Sequence, residues 1–134
     1  MEICQLNAQA AFDFLPPRIR GSAKWDYGRS LIVAGSTGMP GAAILSARAA
    51  ARSGVGLVQL ASVEPVCQAV SAHLAECTYF IQPPCPQGGI AVTALPSLLQ
   101  RADTASALTL GPGWGRSEDA AQLLEGLLRA TRTP

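Results

Sequence analysis

The sequence predicts an α/β fold with a mainly parallel sheet. Short apolar runs alternate with segments of helical spacing along most of the 134 residues. Two of those runs, Ser30–Ala34 and Ala105–Leu110, lead straight into glycine-rich loops. The stretch joining the first run to Leu57–Ala61 has the length of a helix, as a parallel pair of strands requires.

From the N-terminus, Gln5 to Leu15 carries Leu6, Ala10, Ala11 and Phe14 at helical spacing, and Pro16-Pro17 ends it. Arg18 to Tyr27 is polar and reads as loop. Ser30–Ala34 is apolar between glycines, as expected of a strand buried on both faces. Gly35, Gly38 and Gly41 punctuate the loop after it, and the alanine-rich Gly41–Ser53 favours helix. Arg48 and Arg52 share its wet face, and Gly54 stands where glycine ends a helix. Leu57–Ala61 returns as the second strand, through a right-handed crossover.

Glu64-Pro65 opens a second helix to about Ala75, with Val66, Val70 and Leu74 on one side. Cys77–Ile81 reads as a third strand. Gln82–Gly89, with three prolines and two glycines, is expected to be a surface loop or turn. Thr93 is placed to cap a helix over Ala94–Arg101 that turns Leu95, Leu98 and Leu99 to one face. Ala105–Leu110 is the fourth strand. Ser117 is an N-cap, and Glu118 and Asp119 sit in the next helix's first turn, where the dipole favours acids. Leu123, Leu124, Leu127 and Leu128 form its apolar stripe. About four strands make a small sheet, so the chain reads as part of a larger fold.

Apolar residues make up 49% of the chain and charged residues 14%, with a net charge of +1. That balance gives no support for a nucleic-acid partner or a membrane surface. The apolar runs fall far short of a membrane span, and the N-terminus lacks the plan of a secretory signal, so the expected location is the cytoplasm. Cys4, Cys67, Cys77 and Cys85 form no Cys-x-x-Cys pair, and His73 is the single histidine. They are read as reduced thiols, with no metal site. The expected partners are small molecules; a homo-oligomer stays open.

The first loop spells G-x-x-G-x-x-G from Gly35 to Gly41. Thr37 stands where the dinucleotide fingerprint has its second glycine, and no lysine follows Lys24, which excludes a phosphate loop of the Gly-Lys-Ser/Thr kind. The loop is either a ligand-binding corner at a helix N-terminus or a structural tight turn. Gly111-Pro-Gly113-Trp-Gly115 is a second such loop. It either converges on the same crevice or forms a rigid turn with Trp114 as a surface lid. Glu64, near the end of the second strand, is placed to hold a ribose, at a longer spacing from Gly35 than usual. Lys24, Asp26 and Arg29 flank the first strand and read as a solvated loop or as phosphate contacts. His73 reads as a surface or satisfied histidine. No nucleophile–base pair and no paired carboxylates stand out.

Lys24-Trp-Asp-Tyr-Gly-Arg-Ser-Leu-Ile-Val-Ala-Gly-Ser-Thr-Gly-Met-Pro-Gly-Ala-Ala-Ile-Leu, Arg52-Ser-Gly-Val-Gly-Leu-Val and Leu110-Gly-Pro-Gly-Trp-Gly-Arg-Ser resemble the ADP-dependent NAD(P)H-hydrate dehydratases of the ribokinase-like carbohydrate-kinase superfamily. The likeness runs from about Leu15 to the end. It implies the N-terminal portion of a ribokinase-like three-layer α/β/α sandwich, with residues 1–20 a helix and lead-in and 21–134 a partial domain. The implied reaction restores NAD(P)H from its hydrated form, NAD(P)HX, with ADP as cosubstrate and Mg2+ as the expected ion. The resemblance sets Ala42 or Ala43 and Gly113 against the dinucleotide. With the two loops, the candidate substrate-binding residues are Gly35, Ser36, Gly41, Ala42, Ala43, Gly111 and Gly113. No catalytic residue is assigned, because the family's Gly-Thr-Gly-Asp segment has no counterpart here. The family's His-Lys-Gly is Ala23-Lys24-Trp25 in this chain, and its Gly-Leu-Gly is Gly113-Trp114-Gly115, which is expected to narrow the pocket. Glu76 matches the glutamate of a Pro-Glu pair, with Ala75 in place of proline. The alternatives are a non-catalytic nucleotide- or dinucleotide-binding module, another ribokinase-like kinase, and an inactive fragment.

Overall fold

The computed structural model describes residues 7–13, 15 and 17–134. Of the first expected helix, Ala8–Asp13 forms α1, begun by Asn7, whose side-chain oxygen accepts the Ala10 N–H at 2.8 Å. Leu6, Phe14 and Pro16, together with Cys4, lie outside the described residues. The lead-in is anchored rather than trailing. Arg18 donates to the Gly54 carbonyl at 2.5 Å and stacks over Tyr27 with its guanidinium 4.0 Å from the ring centre. Within the expected loop a short 3-10 turn forms over Lys24–Tyr27, closed by Asp26, which accepts the Ala23 N–H at 2.8 Å.

Strands β1 (Arg29–Val33), β2 (Leu57–Ser62), β3 (Cys77–Ile81) and β4 (Ala107–Leu110) form one parallel sheet in the order β3-β2-β1-β4. The apolar run of β1 puts it at the centre: Leu31, Ile32 and Val33 are fully buried. Helices α2 (Pro40–Ser53) and α3 (Glu64–Ser71) pack together on one face. Helices α4 (Leu95–Ala102) and α5 (Glu118–Ala130) pack together on the other. Alternation along β3 assigns the faces. Tyr79 turns to the α3 side, its hydroxyl donating to the Leu74 carbonyl. Phe80 turns the opposite way, under the guanidinium of Arg101 in α4. Gly54 ends α2, its N–H bonding to the Ala51 carbonyl.

Four expectations are corrected. Helix α3 stops at Ser71, short of Ala75, because the N–H groups of His73 and Leu74 both turn back to the Val70 carbonyl and Tyr79 takes the Leu74 carbonyl. Thr93 caps nothing. It lies in a 3-10 turn over Val92–Ala94, and α4 begins after it at Leu95-Pro96, where proline suits a first turn. Strand β4 begins at Ala107 rather than Ala105, because the chain bends at Ser106, whose N–H bonds to the Arg29 carbonyl. The leucine stripe of α5 is split: Leu123 and Leu127 are buried, and Leu124 and Leu128 face outward. Gly126 brings α5 close to α4, since a Cβ there would stand 2.5 Å from Leu95. Ser117 caps α5 as expected, accepting the Ala120 N–H at 3.1 Å.

The sheet has an open edge at β4. On that side the Leu108 N–H is taken by the Pro134 carbonyl at 2.7 Å.

Cys67, Cys77 and Cys85 are buried free thiols. Burial first, then the neighbouring charge of Glu64, pushes Cys67 up. Burial is also the main cause that pushes Cys77 from 9.0 to about 11 and Tyr79 from 10.0 to about 12. Groups raised in this way stabilise the fold fully below their unfolded values, and that stability is lost as pH rises through the folded ones. Melting temperatures are therefore expected to hold steady to about pH 9 and to fall between there and about pH 12. Tyr79→Phe should flatten the upper part of that fall. An unchanged alkaline profile in the variant would rule the tyrosine out.

Candidate functional site

The order β3-β2-β1-β4 places a topological switch between β1 and β4: from β1 the chain winds first to β2 and β3, then crosses back to β4. Crevices of open α/β sheets lie outside the carboxyl ends of such strands. Both glycine loops start there, one after Val33 and one after Leu110. Their backbones touch. The Gly35 N–H bonds to the Pro112 carbonyl at 2.7 Å, and a Cβ added to Gly113 would stand 2.7 Å from the Ala42 Cβ and 3.0 Å from the Met39 carbonyl.

Helix α2 begins at this junction without a side-chain cap, without an acid in its first turn and with Pro40 at its start. Its N-terminal N–H groups and positive dipole end are thus free to meet an anion or a polar ligand. Helix α5 starts nearby with those demands met by Ser117, Glu118 and Asp119. A Cβ at Gly38, Gly41 or Gly111 would meet nothing within 4 Å, so bare backbone faces open space on both loops.

The candidate residues divide by exposure. Gly41 is exposed, and Ala42, Gly111 and Gly113 are half-buried, all at the mouth of the junction. Ser36 is buried, its carbonyl closing the turn by accepting the Met39 N–H at 2.9 Å. Gly35 and Ala43 lie beneath the surface, Ala43 wholly inside the core. Of the pair Ala42 and Ala43, Ala42 is the one a ligand can reach.

Trp114 is no surface lid. Its indole N–H donates to the Val33 carbonyl at 2.7 Å, and the ring is buried with the core. It props the junction from beneath. The same loop borders a cavity of about 580 Å³ beside β4, lined by Gly111, Arg116, Ala121 and Leu124 among others.

The proline–glycine segment 82–91 does more than turn at the surface. The Thr37 N–H and hydroxyl both donate to the Gly88 carbonyl, at 2.8 and 3.0 Å. A Cβ on Gly89 would stand 3.3 Å from the Trp114 carbonyl. The Val92 N–H bonds to the Asp119 carboxylate at 2.7 Å. Three loops, not two, therefore hold one another. Nothing local in residues 82–89 signals this; the paired glycines are the only trace.

Other flagged residues lie elsewhere. The Lys24–Tyr27 turn sits at the amino end of the sheet, where the Gly56 N–H bonds to the Tyr27 carbonyl, so Lys24 and Asp26 do not reach the loops. Lys24 stands over the Trp25 ring instead, at 4.6 Å. His73 is exposed in the turn before β3. Glu76 lines a cavity of about 340 Å³ with Arg48 and Arg52 beside Gly56, at the amino ends of the strands. Among the described residues no three His, Cys, Asp or Glu side chains cluster as metal ligands.

The sequence profile of the NAD(P)H-hydrate dehydratase family matches residues 30–133. The chain belongs to that family. A family relative, the bifunctional NAD(P)H-hydrate repair enzyme of Salinibacter ruber, is 37% identical over 120 residues, which span 89% of this chain and 22% of that one. The ADP-dependent (S)-NAD(P)H-hydrate dehydratase of Bacillus subtilis is 34% identical over 116 residues, 87% of this chain and 39% of that one. The crystal structure of the Bacillus subtilis ADP/ATP-dependent NAD(P)H-hydrate dehydratase with ATP and Mg2+ superposes with a TM-score of 0.69 at 31% identity, over 91% of this chain and 41% of that one. A ribokinase-like protein of Enterococcus faecalis superposes with a TM-score of 0.78 at 22% identity and supports the fold alone. The chain thus spans between about a fifth and two fifths of these relatives. The family fold is the ribokinase-like α/β sandwich expected from the sequence, and β1 to α5 build part of it.

Proposed function

We propose that this chain forms the dinucleotide side of an ADP-dependent NAD(P)HX dehydratase. One observation carries the reading: both glycine loops meet at the switch between β1 and β4, over an uncapped helix start. The N–H groups of Gly41 and Ala42 in the first turn of α2 suit the pyrophosphate. The bare backbone at Gly41 and Gly111 leaves room for a flat ring, Gly35 and Ser36 shape the loop from below, and Gly113 brings the second loop against Ala42. Ala43 supports the site through packing. Bound ADP would supply the phosphoryl group that turns the added hydroxyl into a leaving group. This chain's own residues bind and orient the dinucleotide. The expected Mg2+ would ride on the phosphates of ADP, since among the described residues no three His, Cys, Asp or Glu side chains cluster to hold it.

Two results test it. With NADPHX and ADP, the 134 residues alone are expected to bind the dinucleotide and to regenerate no NADPH; regeneration would overturn the division of labour. Gly41→Ala separates binding from stability. The site is open, so alanine should stabilise α2 by about 0.5–1 kcal/mol. Its methyl group would also cover bare backbone and weaken dinucleotide binding several-fold. A variant that gains stability and binds as well as the parent would remove Gly41 from the site.

A further inference from the structure

A second cleft, of about 360 Å³, opens beside the first glycine loop at the carboxyl ends of β2 and β3. It is roomy enough for a nucleoside and too small for a whole dinucleotide. Its walls are apolar and flat: the rings of Pro65, Pro83 and Pro84, and the side chain of Ile81, which is 61% exposed. Thr37 belongs both to this cleft and to the glycine loop, so the cleft continues the candidate site. Gln82 lines it although its side chain is only 7% exposed. The Gln82 amide oxygen accepts from Ser97, and its amino group makes a single long bond of 3.4 Å, which leaves an N–H to spare. At the rim stands Glu64, at the start of α3 just past the end of β2. One of its oxygens accepts from Gln68 at 3.2 Å, which fixes the carboxylate and leaves the other oxygen for a ligand.

We propose that this cleft seats the adenosine end of the dinucleotide, and that Glu64 selects the form with free ribose hydroxyls, NADHX over NADPHX. The inference rests on the dinucleotide reading above. A carboxylate is an acceptor only, and a ribose diol offers it two donors. An acid at the end of a second strand does this for ribose in other doubly wound sheets. A 2′-phosphate would instead bring a second anion against Glu64. Among the described residues no lysine or arginine lines the cleft to offset it.

The test is a titration of the 134-residue chain with ADP-ribose and with its 2′-phosphate, followed by calorimetry and by backbone amide shifts. ADP-ribose is expected to bind about tenfold more tightly. Glu64→Gln should bring the two ligands within about twofold of each other, and Glu64→Arg should reverse the order. Glu64 is exposed, so Glu64→Gln should melt close to the parent, and Glu64→Arg, which sets a cation at the start of α3, a few degrees below it. Equal affinities with shifts on the glycine loops, unchanged by Glu64→Gln, would overturn the role of Glu64 and leave the dinucleotide reading standing. Binding of neither ligand would overturn both.

Discussion

Trp114→Ala is expected to lower the unfolding free energy by about 3–5 kcal/mol, as large aromatic truncations in a core do. Three links stitch β1 and the loop that follows it to the second glycine loop: Gly35 N–H to Pro112, Gly111 N–H to Val33, and the Trp114 indole to the same Val33 carbonyl. The indole fills the space beneath them. Trp114→Phe separates packing from hydrogen bonding. It keeps most of the ring, and the Val33 carbonyl keeps the Gly111 N–H, so the loss should be about 1 kcal/mol. Urea unfolding with an unchanged slope measures both. If alanine cost no more than phenylalanine, the ring would be only a cover over the loop.

Gly35→Ala is expected to cost about 2–5 kcal/mol, from two causes that a double mutant can separate. Gly35 has φ 84°, in the left-handed region that a Cβ disfavours by about 1–2 kcal/mol. The added Cβ would also stand 2.6 Å from Val66 Cγ1 and 3.1 Å from the Ala43 Cβ, an overpacking worth about 1–3 kcal/mol. Val66→Ala removes the nearer obstacle and leaves φ untouched. The two substitutions together should therefore cost less than their sum by about 1–2 kcal/mol. Strict additivity would mean that backbone strain is the whole effect. Because Gly35 and Ala43 pack under the loop, Gly35→Ala should also loosen the dinucleotide contacts proposed for Ala42.

The unit from β1 to β2 was legible because its signals are local. The glycines bounding Ser30–Ala34, the alanines of α2 and Gly54 at its end act within a few residues of themselves. The bounds of β3 and the Ser117 cap were legible for the same reason. What sequence spacing hid depends on partners far along the chain. Trp114 reads as exposed beside glycines, and only its bond to Val33 makes it core. Gln82–Gly89 reads as surface, and its contacts with Thr37 and Trp114 tie it to the candidate site. Tyr79, reaching Leu74, helps to end α3 before its apolar spacing does. The resemblance pointed to Ala42 or Ala43 without choosing between them. Separating them takes the helix phase, which buries Ala43 and leaves Ala42 at the mouth.

The place of β1 between β2 and β4 bears on how the chain can be made. Strand β1 pairs with β2 through neighbours such as Val33 and Ala61, so a ribosome-bound chain can zip those two early. Its other side must wait for Ala107–Leu110 to be synthesised. Until then Leu31, Ile32 and Val33, fully buried once folding is complete, border an unfilled row of backbone hydrogen bonds. The Trp114–Val33 bond, spanning 81 residues, closes later still. The candidate crevice therefore forms only after β4 has joined the sheet, and the interval before that is when a chaperone has most to shield.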